Sequence, residues 1–174
     1  MVIRTVAKYA LEKAKANVGV VEVGENAGVH VRKYQMACNP PLEAGAPWCA
    51  AFMVYRFKQA FAAFEIEPGN FPTSGYCPDW QRWAKNSSRW LDVDDAESEP
   101  SILEPGDVCL FWFAPKGRVA HIGIVESVHD WGCYTIEGNT GPEVGTVNRD
   151  GDGVYRKKRN WSEFGSAGGF IRMK

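Results

Sequence analysis

No segment of this chain approaches the ~20 consecutive apolar residues of a membrane span. Charge of one sign is also missing. Twenty basic residues against twenty-one acidic ones leave a formal net charge of -1. That balance gives no electrostatic footprint for nucleic acid or an anionic membrane. The one short basic run, Arg156 to Arg159, reads as a solvated strand or turn. There is no C-x-x-C pair and no H-x-x-x-H spacing, so a structural zinc site is not expected. The N-terminal stretch MVIRTVAKYALEKAKANV has neither an uninterrupted apolar run nor a small-residue cleavage site, so it does not read as a signal peptide. Without an export signal, an odd count of five cysteines points to reduced thiols in a protein made in the cytoplasm. Repeats and low-complexity tracts are absent. A composition 45% hydrophobic and 24% charged is that of a folded domain and not of a disordered chain.

What is present divides by period. Up to about residue 90 the apolar spacing is helical, with helices expected over roughly 2–17, 29–37, 49–64 and 78–86. The segment 91–105, LDVDDAESEPSILEP, is acidic and proline-bearing and reads as loop. From Asp107 onward, strand-like stretches follow: DVCLFWF, RVAHIGIVESV, GCYTIEG, GVYRKKR and GGFIRM. Most are separated by short turns (APKG, HDWG, DGDG), and GNTGPEVGTVNRD forms a longer loop after the third. Helices first and an antiparallel meander after them is an α+β pattern. The strands need the helices to cover their apolar face, so a single domain over residues 1–174 is expected.

Residues 47–53 read PWCAAFM. The segment from Cys49 to Phe64 is apolar nearly all round, which predicts a central, buried helix. Pro47 suits a helix entry, and Ala50 and Ala51 let the first turn press closely on a sheet. Cys49 therefore falls at a buried helix N-terminus. There the dipole and free N–H groups stabilise a thiolate and can hold a developing oxyanion. Position alone also accommodates a small buried hydrophobe.

A thiol nucleophile needs a base, and the base an orienting group. Alternation in RVAHIGIVESV puts Val119, His121, Gly123 and Val125 on one face, and Gly123 leaves space beside the ring. The reading of His121 as a core histidine bonded to backbone stands beside that of a base. In GCYTIEGN, Cys133, Thr135, Glu137 and Asn139 share one face. A hairpin centred near His129-Asp130 pairs residues whose numbers sum to about 258 to 260, which brings His121 opposite Glu137 or Asn139. Either can hold the imidazole in one tautomer.

PWCAAF at 47–52, PGDVCLF at 105–111, VAHIGIV at 119–125 and YTIEGNT at 134–140 resemble, in that order, the landmarks of the CHAP domain, the cysteine, histidine-dependent amidohydrolase/peptidase. The stretches ENAG…Y at 25–34 and DGDGVYRKKR at 150–159 are similar to the bacterial and phage branch, and the likeness runs from about residue 16 to 172. The resemblance implies a papain-like fold, with N-terminal helices packed on a C-terminal antiparallel sheet of about five strands. It implies hydrolysis of amide bonds in bacterial peptidoglycan, as endopeptidase or N-acetylmuramoyl-L-alanine amidase, by a phage endolysin or a bacterial wall hydrolase. It makes Cys49 the nucleophile, His121 the general base, and Glu137 with Asn139 the polar pair that orients it. Glu22 and Asn26 lie in a segment similar to one near the family's cleft, and Trp48, beside the nucleophile, is a candidate wall of a substrate groove.

Some relatives bind calcium through a D-x-D loop upstream of the cysteine. Here that stretch is CNPPLEAGAPW, with Glu43 alone, so no metal or other cofactor is expected and activity should survive chelation. Asp150-Gly-Asp152-Gly lacks the spaced ligands of an EF-hand and reads as a hairpin turn. Asp107 reads as a turn or cap residue, Cys109 and Cys133 as packing residues, and Cys38 and Cys77 as residues of loops. A monomer is expected, without a separate wall-binding module, acting on the wall after release or non-classical export. Competing readings are a related NlpC-type peptidase or amidase toxin, and a non-catalytic wall-binding domain on the same scaffold.

Overall fold

The computed structural model describes residues 2–143, 147 and 150–173. The helices are α1 (Val2–Lys15), α2 (Val29–Ala37), α3 (Cys49–Ala63), α4 (Cys77–Asn86) and α5 (Val93–Ser98). The strands are β1 (Trp90–Asp92), β2 (Val108–Phe113), β3 (Arg118–His129), β4 (Gly132–Thr140), β5 (Gly153–Asn160) and β6 (Gly169–Ile171). The fold is α+β of the papain-like type, with helices packed on an antiparallel sheet ordered β1-β6-β2-β3-β4-β5.

The acidic segment expected to be loop departs from that reading. It holds a sixth strand, β1, paired with β6, and the one-and-a-half-turn helix α5. Asp94 and Asp95 sit in the first turn of α5, where carboxylates oppose the helix dipole favourably, while Val93 and Ala96 are buried. The loop between β4 and β5 includes residues 144–146, 148 and 149, which lie outside the described residues. DGDG is the end of that connection and leads straight into β5; it is not a hairpin turn of its own.

Each face of the sheet carries an apolar cluster. Val108, Leu110, Ile122, Ile124 and Ile136 face α1, α3 and α4. Cys109, Phe111, Val125 and Cys133 face the other way, against Phe164 and Phe170. The β3–β4 register pairs Gly123 with Glu137 and Ile124 with Ile136, which lies within the hairpin register expected. An irregularity in the β2–β3 ladder pairs Phe111 with His121 but Trp112 with Val119, leaving Ala120 as an extra residue. Strict alternation puts Val119 on the face of His121; the irregularity places it in the helix-facing cluster instead.

Candidate active site

Cys49 is the first residue of α3 and is buried, as the apolar character of that helix requires. The helix is capped by no side chain, so its leading N–H groups stay directed at this end. His121 is fully buried on β3, and its ring lies 5.4 Å from that of Phe111. Ala120 and Arg118 line the same cleft as Cys49, so the irregular end of β3 lies beside the head of α3. The thiol and the imidazole are near enough to shift each other's ionisation.

The far side of the ring is fixed. His121 Nε2 bonds Glu137 Oε2 at 2.8 Å. Glu137 stands opposite Gly123, two residues along from His121, and a Cβ at Gly123 would fall 2.7 Å from Glu137 Cγ. The space left by that glycine is the lane through which the glutamate arm reaches the ring. Glu137 also accepts from Thr135 Oγ1 at 2.6 Å, and from Arg159 Nε and Nη2 at 2.8 and 2.7 Å. Arg159 is itself wholly buried, lies over Phe111, and donates from Nη1 to Glu163 at 3.1 Å.

These contacts set the charges. Burial opposes ionisation of Glu137, but the hydrogen bonds from Arg159 and His121 outweigh it and hold the carboxyl well below its usual range. Burial opposes a charged His121, but its bonds to Cys49 and Glu137 outweigh it and raise its pKa to about 9. The Cys49 thiol is lowered well below the ordinary thiol value, by a hydrogen bond from Cys77 first, against burial, then by His121 and the Ala50 N–H. Both shifts run in the direction of a thiolate beside an imidazolium. Nδ1 of His121 has no hydrogen-bond partner among the described residues, so it is the ring nitrogen left available for proton exchange.

Of the two candidate orienting residues, Glu137 is the ring's partner. Asn139 is buried, lies within the β4–β5 irregularity and takes a left-handed φ of 57°. Trp48 is not a groove wall. It is completely buried against Tyr34 and Phe52, and its indole N–H donates to Glu22 at 2.9 Å. The other Glu22 oxygen accepts from the Asn26 N–H at 3.0 Å. Glu22 thus ties its loop to the residue preceding Cys49, and neither Glu22 nor Asn26 lines the cleft.

That cleft, about 290 Å³, is lined by Pro40, Leu42, Ser74, Tyr76 and Cys77 together with Cys49. Arg118, its guanidinium 4.8 Å over the Tyr76 ring, is the one charged lining residue among those described. Cys77 is not in a loop. It opens α4 with its sulfur 3.9 Å from that of Cys49. None of the five cysteines is in a disulfide. Among the described residues no group of three or more His, Cys, Asp or Glu side chains is placed to hold a metal ion.

Sequence reasoning missed Arg159 and Cys77. The basic run at 156–159 is half buried, not solvated: Lys157 and Arg159 point inward, and Arg156 and Lys158 point out. Lys157 Nζ donates to the carbonyl oxygens of Gly141, at 2.6 Å, and Glu143. The available signal was the carboxylate: a Glu on a buried strand face requires a cation.

A family model, that of the CHAP domain, matches residues 42–139, more than half of the chain. Neither the curated proteins nor the solved structures contain a match.

Proposed function

The chain belongs to the CHAP domain family, whose members are peptidoglycan hydrolases of the amidase or peptidase type, and from that premise we propose that it cleaves an amide bond of bacterial peptidoglycan through Cys49. The observation that carries this reading is the unbroken line from Cys49 through His121 to Glu137 and Arg159, with its sulfur end on an open cleft. The thiolate attacks the substrate carbonyl carbon. The oxyanion that forms lies at the head of α3, where backbone N–H groups stabilise it. The imidazolium gives its proton to the leaving nitrogen, so a thioester on Cys49 and a free amine result. Water then attacks the thioester with His121 as base, and the acid product leaves with the thiolate restored.

Glu137 acts on the ring and not on the substrate. Its charge favours the imidazolium and fixes which nitrogen faces sulfur. Arg118 is the charged group of the cleft lining, which suits a peptide carrying a carboxylate, as peptidoglycan stem peptides do. The chain works as a monomer, as an endolysin or wall hydrolase that meets the wall after release from the cell that makes it. Replacing Cys49 by Ala tests the reading. The variant, folded by circular dichroism, should clear cell-wall suspensions about 10⁴-fold more slowly or not at all. Lysis at the wild-type rate would overturn it. Mass analysis of fragments from defined peptidoglycan then separates amidase from endopeptidase by which new amine appears.

A further inference from the structure

Cys77 has no role in the hydrolytic cycle beyond its hydrogen bond to the nucleophile, yet its sulfur lies 3.9 Å from that of Cys49. Each residue is the first of a helix, α3 or α4, and both line the one cleft, so a small solute that enters it meets both sulfurs. A disulfide places its sulfurs about 2 Å apart. The pair must close by about the same amount, within the range of side-chain rotation. The other three cysteines offer no such arrangement. Cys109 and Cys133 lie in the cluster on the opposite face of the sheet, and burial pushes their thiols up. Cys38 is buried behind the cleft with its thiol raised to about 11.

We propose that Cys49 and Cys77 form a reversible redox pair, in which a peroxide oxidises Cys49 and Cys77 is the resolving thiol. In the first step the Cys49 thiolate attacks one peroxide oxygen. An S–O bond forms, the O–O bond breaks, hydroxide leaves, and sulfur is oxidised by two electrons as the peroxide is reduced. In the second step the Cys77 sulfur attacks the Cys49 sulfenic acid. An S–S bond forms, the S–O bond breaks, and the departing hydroxide takes the Cys77 proton as water. The lowered pKa of Cys49 speeds the first step, because the thiolate is the attacking species. The disulfide silences the nucleophile and shields it from irreversible oxidation to sulfinic acid. An external dithiol reverses it by exchange at either sulfur.

The proposal concerns the sulfur pair and not the substrate, so its primary readout is covalent mass. The purified full chain is treated with a few equivalents of hydrogen peroxide, alkylated, digested without reductant and mapped. The expected product is a Cys49–Cys77 linked peptide, an intact mass lower by two hydrogens, and full reversal by dithiothreitol. In Cys77→Ser and, as a second variant, Cys77→Ala, Cys49 should instead gain two or three oxygens. Dithiothreitol should then restore less than about a tenth of each variant's own starting activity, against most of it in the wild type. A wild-type map in which Cys49 is sulfinic and unlinked would overturn the proposal. So would Cys77 variants that recover as completely as the wild type. If Cys49→Ala retained lysis while the linked peptide still formed in the wild type, the hydrolytic reading would fall and the redox pair would stand.

Discussion

Two carboxylates among the described residues are completely buried, and they have opposite character. Asp107, at the start of β2, accepts from the backbone N–H groups of Glu104 and Met173 at 2.9 and 2.8 Å and pairs with Arg4 at 2.9 Å. Burial still dominates there, and its pKa is raised. Glu137 is as deeply buried, yet it is held below the usual carboxylate range. The difference lies in the company. Arg4 is partly exposed and approaches Asp107 through one nitrogen. Arg159 is wholly buried and grips Glu137 with two, while His121 supplies a second cationic donor. Backbone donors satisfy a buried carboxylate; only cations buried with it keep it charged. Asp107 ties the loop before β2 to the C-terminal segment and α1, as a turn residue should. Glu137 is a fixed negative charge aimed at the His121 ring.

The sharpest way to break this comparison is to take away each cation. Arg159→Met should cost about 3–5 kcal/mol of stability, because a buried ionised carboxylate is left uncompensated. Arg4→Met, at a partly solvated pair that keeps both backbone donors, should cost only about 1–2 kcal/mol. Urea denaturation of the two variants measures the gap, and equal losses would show that Glu137 is not held as a charge. A second contrast lies in the pH dependence of kcat/KM for wall hydrolysis. With His121 raised to about 9, the alkaline limb should fall near that pH as the imidazolium is lost. Glu137→Gln should move that limb down by about one unit or more. Asp107→Asn and Asn139→Ala should leave it in place. The smallest effect is in acid stability. Glu137, depressed on folding, stabilises the fold above its unfolded value of about 4.3 and loses that contribution as pH falls through the acid range. Asp107, raised on folding, does the reverse: its contribution is present below about 3.9 and is lost as pH climbs through its folded value. Between pH 5 and 3, Glu137→Gln should therefore flatten the decline in stability by about 1 kcal/mol. Asp107→Asn should leave the decline as steep or steeper.

The same contrast explains what the chain made legible. Cys49, His121 and Glu137 stand in stretches whose period is unmistakable: an all-round apolar helix and two strands of strict alternation about a short turn. The helix starts at 29 and 49 and the hairpin register follow from that period. The bulge at Ala120 does not, because an extra residue in a ladder leaves no mark in alternation until the partner strand is known. Nor does β1, whose three residues are too few to show a period and whose partner β6 is some eighty positions away. Arg159 hid in a run of four basic side chains, where composition speaks for solvent. Its burial is set by the demand of a glutamate on the adjacent strand, a long-range cause. Cys77 hid because the proximity of two helix N-termini is a property of packing.

Gly138 has a practical consequence for anyone who would harden this protein. Its backbone lies outside the left-handed region, so by conformational criteria it is a good candidate for the routine glycine-to-alanine exchange that stiffens an unfolded chain. The added methyl would land 2.8 Å from Trp48 Cζ3 and 2.9 Å from Phe52 Cβ, on the two residues that bracket the first turn of α3. The wall it strikes is the first turn of α3 that carries Cys49, and Gly138 is itself the strand neighbour of Glu137. A thermostability campaign guided by dihedral angles would select this position early. It would trade a few tenths of rigidity for a thiol and an imidazole pushed out of reach of each other.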